Sequence, residues 1–366
     1  MTSDVLDLSV IRITDSQRVG AKVARLGELA YRGWRVPDGY AVTVDALGSW
    51  LPTAARSELA RLLRGHTEGT AALDRLATQA QALIESEQLP PWLEDAVTAA
   101  HERLRKRTGL GGRLRVAVRS SAVAEDGAGA SFAGQFSTFL GIQRNEDVLH
   151  HIRKCWSSRY TARALDYGRR IGRYPLPAHD LAVGVLQLVD VRSAGVIFTL
   201  DPVTGDRGRM VVEANWGFGE SVVSGHVTPD QWAVDRASGR ILDRTVGAKR
   251  HWSVFDPTAA KVELKPLPAD LTGLPCLDDD EVGYLCGKAA EIETAEGVPQ
   301  DVEWAIARDA PFPDNVFFLQ HRPETTWAEQ APAQAPAQEP VPADPPARAF
   351  DPVQYALRNV FKVPGT

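Results

Sequence analysis

The change of texture at Leu114 constrains the possible folds of this chain more than any other feature. Before it, residues 53–108 carry Leu and Ala at helical spacing with Arg and Glu between them, interrupted near Gln88–Pro91, which predicts two or three helices. After it come short β-prone segments joined by turns: LRVAVRSS, FSTFLGI, LAVGVLQLVDV, AGVIFTLD, RMVVEANWG, QWAVDR, VEWAIA and VFFLQHRP. Residues 145–168 and 278–296 read as helices between them. Near the start, VGAKVARLGELAYRG at 19–33 predicts a helix leaving through Gly33, and VPDGYAVTV at 36–44 a strand. The mixture, α/β and α+β, suits several lobes around a cleft. No fixed internal period supports a repeat protein.

A length of 366 residues exceeds one ordinary core, so two or more lobes are expected. The composition divides the chain into an N-terminal lobe with a helical segment (1–110), a central lobe with a Gly- and Ser-rich loop (111–200) and a C-terminal lobe (201–327). An Ala/Pro/Gln-rich linker (328–347) follows, and then a short amphipathic segment (348–366) that reads as a docking helix. A net charge of -6 gives no general support to nucleic-acid binding. No apolar run approaches the roughly 20 residues of a membrane span, and the start resembles no signal peptide, so a cytoplasmic protein without membrane attachment is expected. Cys155, Cys276 and Cys286 are too sparse for a disulfide scaffold or a Cys-rich zinc site.

The run VRSSAVAEDGAGASFAGQFSTFL, 118–140, reads as a phosphate cradle. A strand would deliver Arg119 and Ser120, the Ala/Gly/Ser loop lets backbone N–H groups approach anionic oxygens, and Ser120, Ser121 and Ser131 add hydroxyls. An ordinary surface loop is the competing reading, since the run is neither a P-loop nor a dinucleotide turn. Lys22 in VGAK supplies a flexible point charge, whereas planar Arg119 clamps two oxygens at once; alone, Lys22 also fits a solvated helix face. In DVEWAIA, strand alternation places Asp301 and Glu303 on one side; in VFFLQHRPET it does the same for Gln320 and Arg322. A carboxylate and an amide oxygen suit magnesium, with Arg322 meeting phosphate charge beside it. A solvent-facing hairpin is the alternative. Glu213, Asn215 and Glu220 in EANWGFGESVVSG suit ribose hydroxyls, a metal or a satisfied loop network, and spacing favours none. DPVTG at 201–205 reads as a turn, with Thr199 and Asp201 as possible cleft residues. His321 alternates away from Gln320 and Arg322, toward packing or solvent.

Taken together, these motifs resemble the N-terminal nucleotide-binding domain of the phosphoenolpyruvate synthase and pyruvate phosphate dikinase family. The resemblance runs over roughly 15–326, with VGAKVARLGELAYRGWRVPDGYAVT, the 118–142 loop, SAGVIFTLDPVTG, VEANWGFGESVVSGHVTPD, GVPQDVEWAIA and FFLQHRPET in the family's order. It implies a multi-lobed ATP-grasp fold, with ATP and Mg2+ as cofactors. It implies ATP phosphate contacts for Lys22 and Arg119, magnesium coordination for Glu303 and Gln320, and phosphate stabilisation for Arg322, making Lys22, Arg119 and Arg322 the catalytic set. Ser120 and Ser131 belong to the implied phosphate loop, Gln187 and Val189 to the adenine-lining segment, and Glu213 to a segment near the nucleotide.

The sequence carries no TSHAA-like phosphohistidine motif and no pyruvate-binding barrel. The resemblance therefore implies a stand-alone ATP-binding subunit, like that of phenylphosphate synthase. Its partner would be a separate phosphohistidine-domain and acceptor-binding subunit holding a small-molecule acceptor. An ATP-grasp carboxylate ligase and a non-enzymatic nucleotide-sensing or assembly subunit are the competing expectations.

Overall fold

The computed structural model describes residues 4–64, 70–123, 126–127, 130–131, 137–170, 180–223, 225, 227–324 and 327. The linker at 328–347, the docking segment at 348–366, His226 and most of the 124–136 loop lie outside the described residues, as does the side chain of Ser131. The chain divides into two units. One comprises Met1–Val189 with Phe255–Glu263 and Phe317–Gln320; the other holds Asp190–Val254, Leu264–Val316 and the described residues from His321 onward.

The first unit contains helices α1 (Ser16–Tyr31), α2 (Val44–Trp50), α3 (Thr53–Arg64), α4 (Thr70–Ser86), α5 (Pro91–Thr108), α6 (Asn145–Ser157) and α7 (Ala162–Arg170). Its strands are β1 (Val5–Asp7), β2 (Gly39–Val42), β3 (Val116–Ala122), the short pair β4 (Asp126–Gly127) and β5 (Ala130–Ser131), β6 (Thr138–Ile142) and β7 (Leu181–Gln187). Five of them form an antiparallel sheet in the order β1-β2-β7-β3-β6.

Strand alternation gives this sheet two different faces. Tyr40, Val42, Val116, Val118, Val183 and Val185 join the core formed with the Leu- and Ala-rich helices, where Trp50 and Trp156 stack with centroids 5.3 Å apart. Ala41 and Leu186 face the other way, into a smaller core with Leu8, Ile11 and the α1 residues Val19, Val23, Ala24 and Leu26. The helical stretch and the first β-prone segments thus share one core.

Local chemistry explains most boundaries. α1 ends through Gly33, whose φ of 84° suits only glycine comfortably; its N–H bonds Ala30 O at 3.1 Å, and Trp34 N–H bonds Leu29 O at 3.0 Å, a Schellman closure. The strand expected over 36–44 is shorter: Thr43 leaves it to cap α2, accepting the Ala46 N–H on its hydroxyl. Pro90 and Pro91 account for the break before α5, Pro91 occupying its first turn. The helix expected over 145–168 is interrupted by a 3-10 turn at Ser158–Tyr160, after which α7 begins at Ala162.

Beyond β7, β8 (Val191–Phe198), β9 (Arg209–Trp216), α8 (Glu220–Val223), β10 (Asp230–Asp235), β11 (Ile241–Thr245), the hairpin β12 (His251–Asp256) and β13 (Lys261–Pro266), α9 (Asp279–Glu296), β14 (Gln300–Ala307) and β15 (Val316–Pro323) follow in order; they make up the second unit, except that parts of β12, β13 and β15 fall within Phe255–Glu263 and Phe317–Gln320 of the first. A six-stranded sheet runs β11-β10-β9-β8-β14-β15, and α9 packs on its central strands. α9 begins with a capping box: Asp278 accepts the Glu281 N–H at 2.8 Å, and Glu281 accepts the Asp278 N–H at 3.1 Å. β11, β12 and β13 were not apparent from the sequence; each is only five or six residues long, and Ser253 is the one residue among them that is buried. No described helix is long and apolar enough to cross a membrane.

Candidate functional site

In the first unit, α1 covers the sheet face that carries Arg119. Gly184 is required between them: a Cβ there would lie 2.8 Å from Val23 Cγ2 and 3.8 Å from Arg119 Cγ. Lys22 lies in the first regular turn of α1, half-buried. Arg119 Nη2 donates to Gln320 Oε1 at 2.6 Å, while its Nε is buried without a hydrogen-bond partner among the described residues. Gln320 is brought there by the residues before it. Phe318 N–H bonds Arg35 O at 2.9 Å, Phe318 packs edge-on to Trp34 at 5.1 Å, and Arg35 lies over the Phe317 ring at 4.6 Å.

Ser120 alternates to the helical side of β3. It is buried, and its hydroxyl donates to Ser137 O at 2.9 Å, so it ties β3 to the end of the loop. Gln187 ends β7 half-buried, with its N–H bonded to Asp38 O at 2.7 Å, and Val189 is buried just beyond. Leu188 N–H bonds Arg115 O at 2.8 Å, so backbone pairing continues past the strand and holds this segment extended.

The second unit assembles a row that spacing alone did not reveal. Glu303 on β14 pairs with Val196 on β8, Val196 with Glu213 on β9, and Glu213 with Gln231 on β10. Directly opposed residues share a sheet face, so both glutamates stand on one surface, roughly 10 Å apart by strand spacing. Glu213 is buried, and desolvation pushes its pKa up to about 8, opposed only in part by the hydrogen bond from Gln231 Nε2 at 3.2 Å. Its carboxyl is mostly protonated at neutral pH. Glu303 is partly exposed.

Asp301 lies on the same face, two residues before Glu303. Burial raises its pKa to about 6; Arg322 opposes the rise, donating from Nε to Asp301 Oδ2 at 3.0 Å, while Glu324 and Glu303 reinforce it. Asp301 Oδ1 is buried without a hydrogen-bond partner among the described residues. Among the described residues no group of three or more His, Cys, Asp or Glu side chains is placed to hold a metal ion. The orphaned Asp301 oxygen beside the accessible Glu303 nevertheless suits a hard cation that keeps water or phosphate oxygens as its other ligands.

Several residues singled out in the sequence have structural tasks. Thr199 is buried and its hydroxyl accepts the Gln300 N–H at 2.8 Å. Asp201 Oδ1 accepts the N–H groups of Val203 and Thr204, closing the DPVTG turn, and Trp327 packs over Gly205 and donates to Pro202 O at 3.1 Å. His321 is buried, with Nδ1 3.0 Å from Gln300 Oε1. Gln231 and the fully buried Asp230–Lys249 ion pair escaped sequence reading, because only strand register and burial distinguish them from ordinary polar residues.

Residues 16–341 match the family model described as pyruvate phosphate dikinase, AMP/ATP-binding domain. The chain belongs to this family. Among curated members of the wider group, a probable phosphoenolpyruvate synthase of Staphylothermus marinus is 39% identical over 332 residues, covering 85% of this chain and 40% of that protein. A rifampicin phosphotransferase of a Streptomyces species is 37% identical, covering 88% of this chain and 36% of its own length. The prodigiosin synthesizing transferase PigC of Serratia marcescens is 33% identical, with coverages of 89% and 33%. The chain thus spans 40% or less of the length of these relatives. Its mixed, multi-sheet architecture agrees with a nucleotide-binding domain of the pyruvate phosphate dikinase type.

Proposed function

We propose that this chain is the ATP-binding component of a split dikinase-like phosphotransferase with an ATP-grasp fold. It would pass a phosphoryl group to a histidine on a partner polypeptide, which then phosphorylates an organic acceptor. The observation that carries the reading is the family match over residues 16–341, which includes Lys22, Arg119, Glu303, Gln320 and Arg322.

In balanced form, the partner's imidazole nitrogen attacks the β-phosphorus of ATP, and the bond from that phosphorus to the AMP oxygen breaks. Water then takes the terminal phosphoryl group as inorganic phosphate, leaving one phosphoryl group on histidine and AMP in solution. Lys22, Arg119 and Arg322 would neutralise charge that develops on the transferring oxygens, the effect that contributes most in such reactions. Glu303 and Gln320 would hold Mg2+ with phosphate oxygens and water; an amide oxygen has two lone pairs, so Gln320 can accept from Arg119 and still serve a cation. Glu213, neutral at pH 7, would hydrogen-bond the nucleoside without adding charge repulsion to a triphosphate. Gln187 and Val189 would line the base, and Ser120 and Ser131 belong to the phosphate loop.

The final acceptor is not assigned to this domain. Relatives named for phosphoenolpyruvate, rifampicin and prodigiosin chemistry match it at 39, 37 and 33% identity, which supports placing acceptor choice in the remainder of each enzyme. The test uses ATP labelled separately at the β- and γ-phosphates, incubated with Mg2+, this chain and a phosphohistidine-domain partner. Stable β-label on the partner's histidine together with AMP is expected; ADP as the sole nucleotide product, or no label on a folded interacting partner, would refute the reading.

A further inference from the structure

The regular helix that carries Lys22 starts after Gly20. Gly20 lies within Ser16–Tyr31 but has φ 74° and ψ 162°, so Ala21, Lys22 and Val23 form a fresh first turn. The N–H groups of a first turn have no acceptor inside their own helix. Here the N–H of Val23, third after the break, donates to Ser121 Oγ at 3.1 Å. That is the position an N-cap side chain ordinarily reaches, but Gly20 has no side chain with which to reach it. Ser121, 98 residues later in the chain, supplies the missing cap from β3.

The contact leaves no slack. Ser121 is fully buried, and a Cβ on Gly20 would lie 2.0 Å from Ser121 O and 2.4 Å from Ser121 Oγ. Ser121 is also two residues beyond Arg119, on the same face of β3. One side chain therefore joins the turn holding Lys22 to the strand holding Arg119.

We propose that Ser121 is a positioning residue for phosphate binding, capping the Lys22 helix in trans and fixing the register of Lys22 against Arg119. Its hydroxyl acts through those two cations and does not touch the nucleotide. The proposal rests on the ATP-binding reading above and adds a division of labour within the serine pair: Ser120 ties β3 to Ser137, whereas Ser121 ties it to α1.

The test is a double-mutant cycle on the full chain: wild type, Ser121→Ala, Lys22→Met and the double variant. ATP affinity is measured by calorimetry, folding by thermal denaturation, and the cap by hydrogen exchange of the Val23 amide. Ser121→Ala is expected to weaken ATP binding about tenfold with Lys22 present and less than about twofold in the Lys22→Met background, the non-additivity of coupled sites. Val23 should exchange slowly in wild type and faster in Ser121→Ala. An equal loss in both backgrounds overturns the proposal, as does unprotected Val23 in the wild-type chain, a reading that needs no variant. A wild-type chain that binds no ATP, with Val23 protected, would instead show that the nucleotide reading has failed and has taken the positioning role with it.

Discussion

Glu213 and Glu303 stand opposite the same residue, Val196, from the two strands that flank it, one carboxyl buried and the other partly open to solvent. Burial separates their chemistry: Glu213 holds its proton to about pH 8. A nucleotide site can use both kinds of carboxyl, a buried neutral one for hydrogen bonding and a more accessible one for a cation.

That separation makes stability depend on pH. The folded-state pKa of Glu213 lies above its ordinary value of 4.5, so between about 4.5 and about 8 the native chain binds a proton that the unfolded chain releases. The contribution is fully present below 4.5 and is lost as pH rises through 8. Thermal unfolding from pH 5 to 9 should show a falling midpoint, with a smaller fall in Glu213→Gln; identical slopes would refute the assignment.

Arg322 is the cation that restrains the rise of the Asp301 pKa above its ordinary value. Arg322→Met should therefore move Asp301 above about 6, and carboxyl NMR of labelled aspartate, with Asp301→Asn to assign the signal, reads it directly. A downward shift would show that burial does not govern this site.

Removing charge from the proposed phosphate clamp should depress transfer far more than removing it from the surface. Arg119→Ala or Arg322→Ala is expected to slow phosphoryl transfer roughly 100-fold or more, the scale for a lost transition-state charge contact. Arg61→Ala, which removes an exposed guanidinium paired to Glu58 in its own helix turn, should change it less than about twofold. Single-turnover transfer assays on the three variants separate these outcomes.

The Asp230–Lys249 pair is fully buried, and Asp230 also accepts the N–H groups of Gly247 at 2.9 Å and Cys276 at 2.8 Å. Lys249→Met leaves a buried carboxylate without its cation and should cost about 3–5 kcal/mol in urea unfolding. Adding Asp230→Asn should recover part of the loss, since an amide carries no charge to strand; no recovery would place the cost in packing.

Much of the fold was legible where one face of an element carries the signal. The Leu and Ala periodicity of 53–108, Gly33 behind α1 and the proline break before α5 each act locally, so neighbouring residues suffice to read them. Strands β11 to β13 were missed because they are short and contribute almost nothing to a core, Ser253 being the one buried residue among them. The strand over 36–44 was overextended because Thr43 suits a β-strand as well as it suits a helix cap, and only the chain beyond it decides.

The candidate residues show the same division. Spacing alone put Asp301 beside Glu303, and Gln320 beside Arg322, because alternation along a strand is a property of the backbone. Residue order also marked Lys22 and Arg119 as candidates for phosphate contacts. It took tertiary structure to align Glu213 with Glu303 across three strands, to give Asp301 and Arg322 to each other, and to spend the Ser121 hydroxyl on a helix 98 residues away. Periodicity is written within a few residues of chain, whereas register, burial and the pKa shifts that follow from burial arise only when distant segments exclude water from one another.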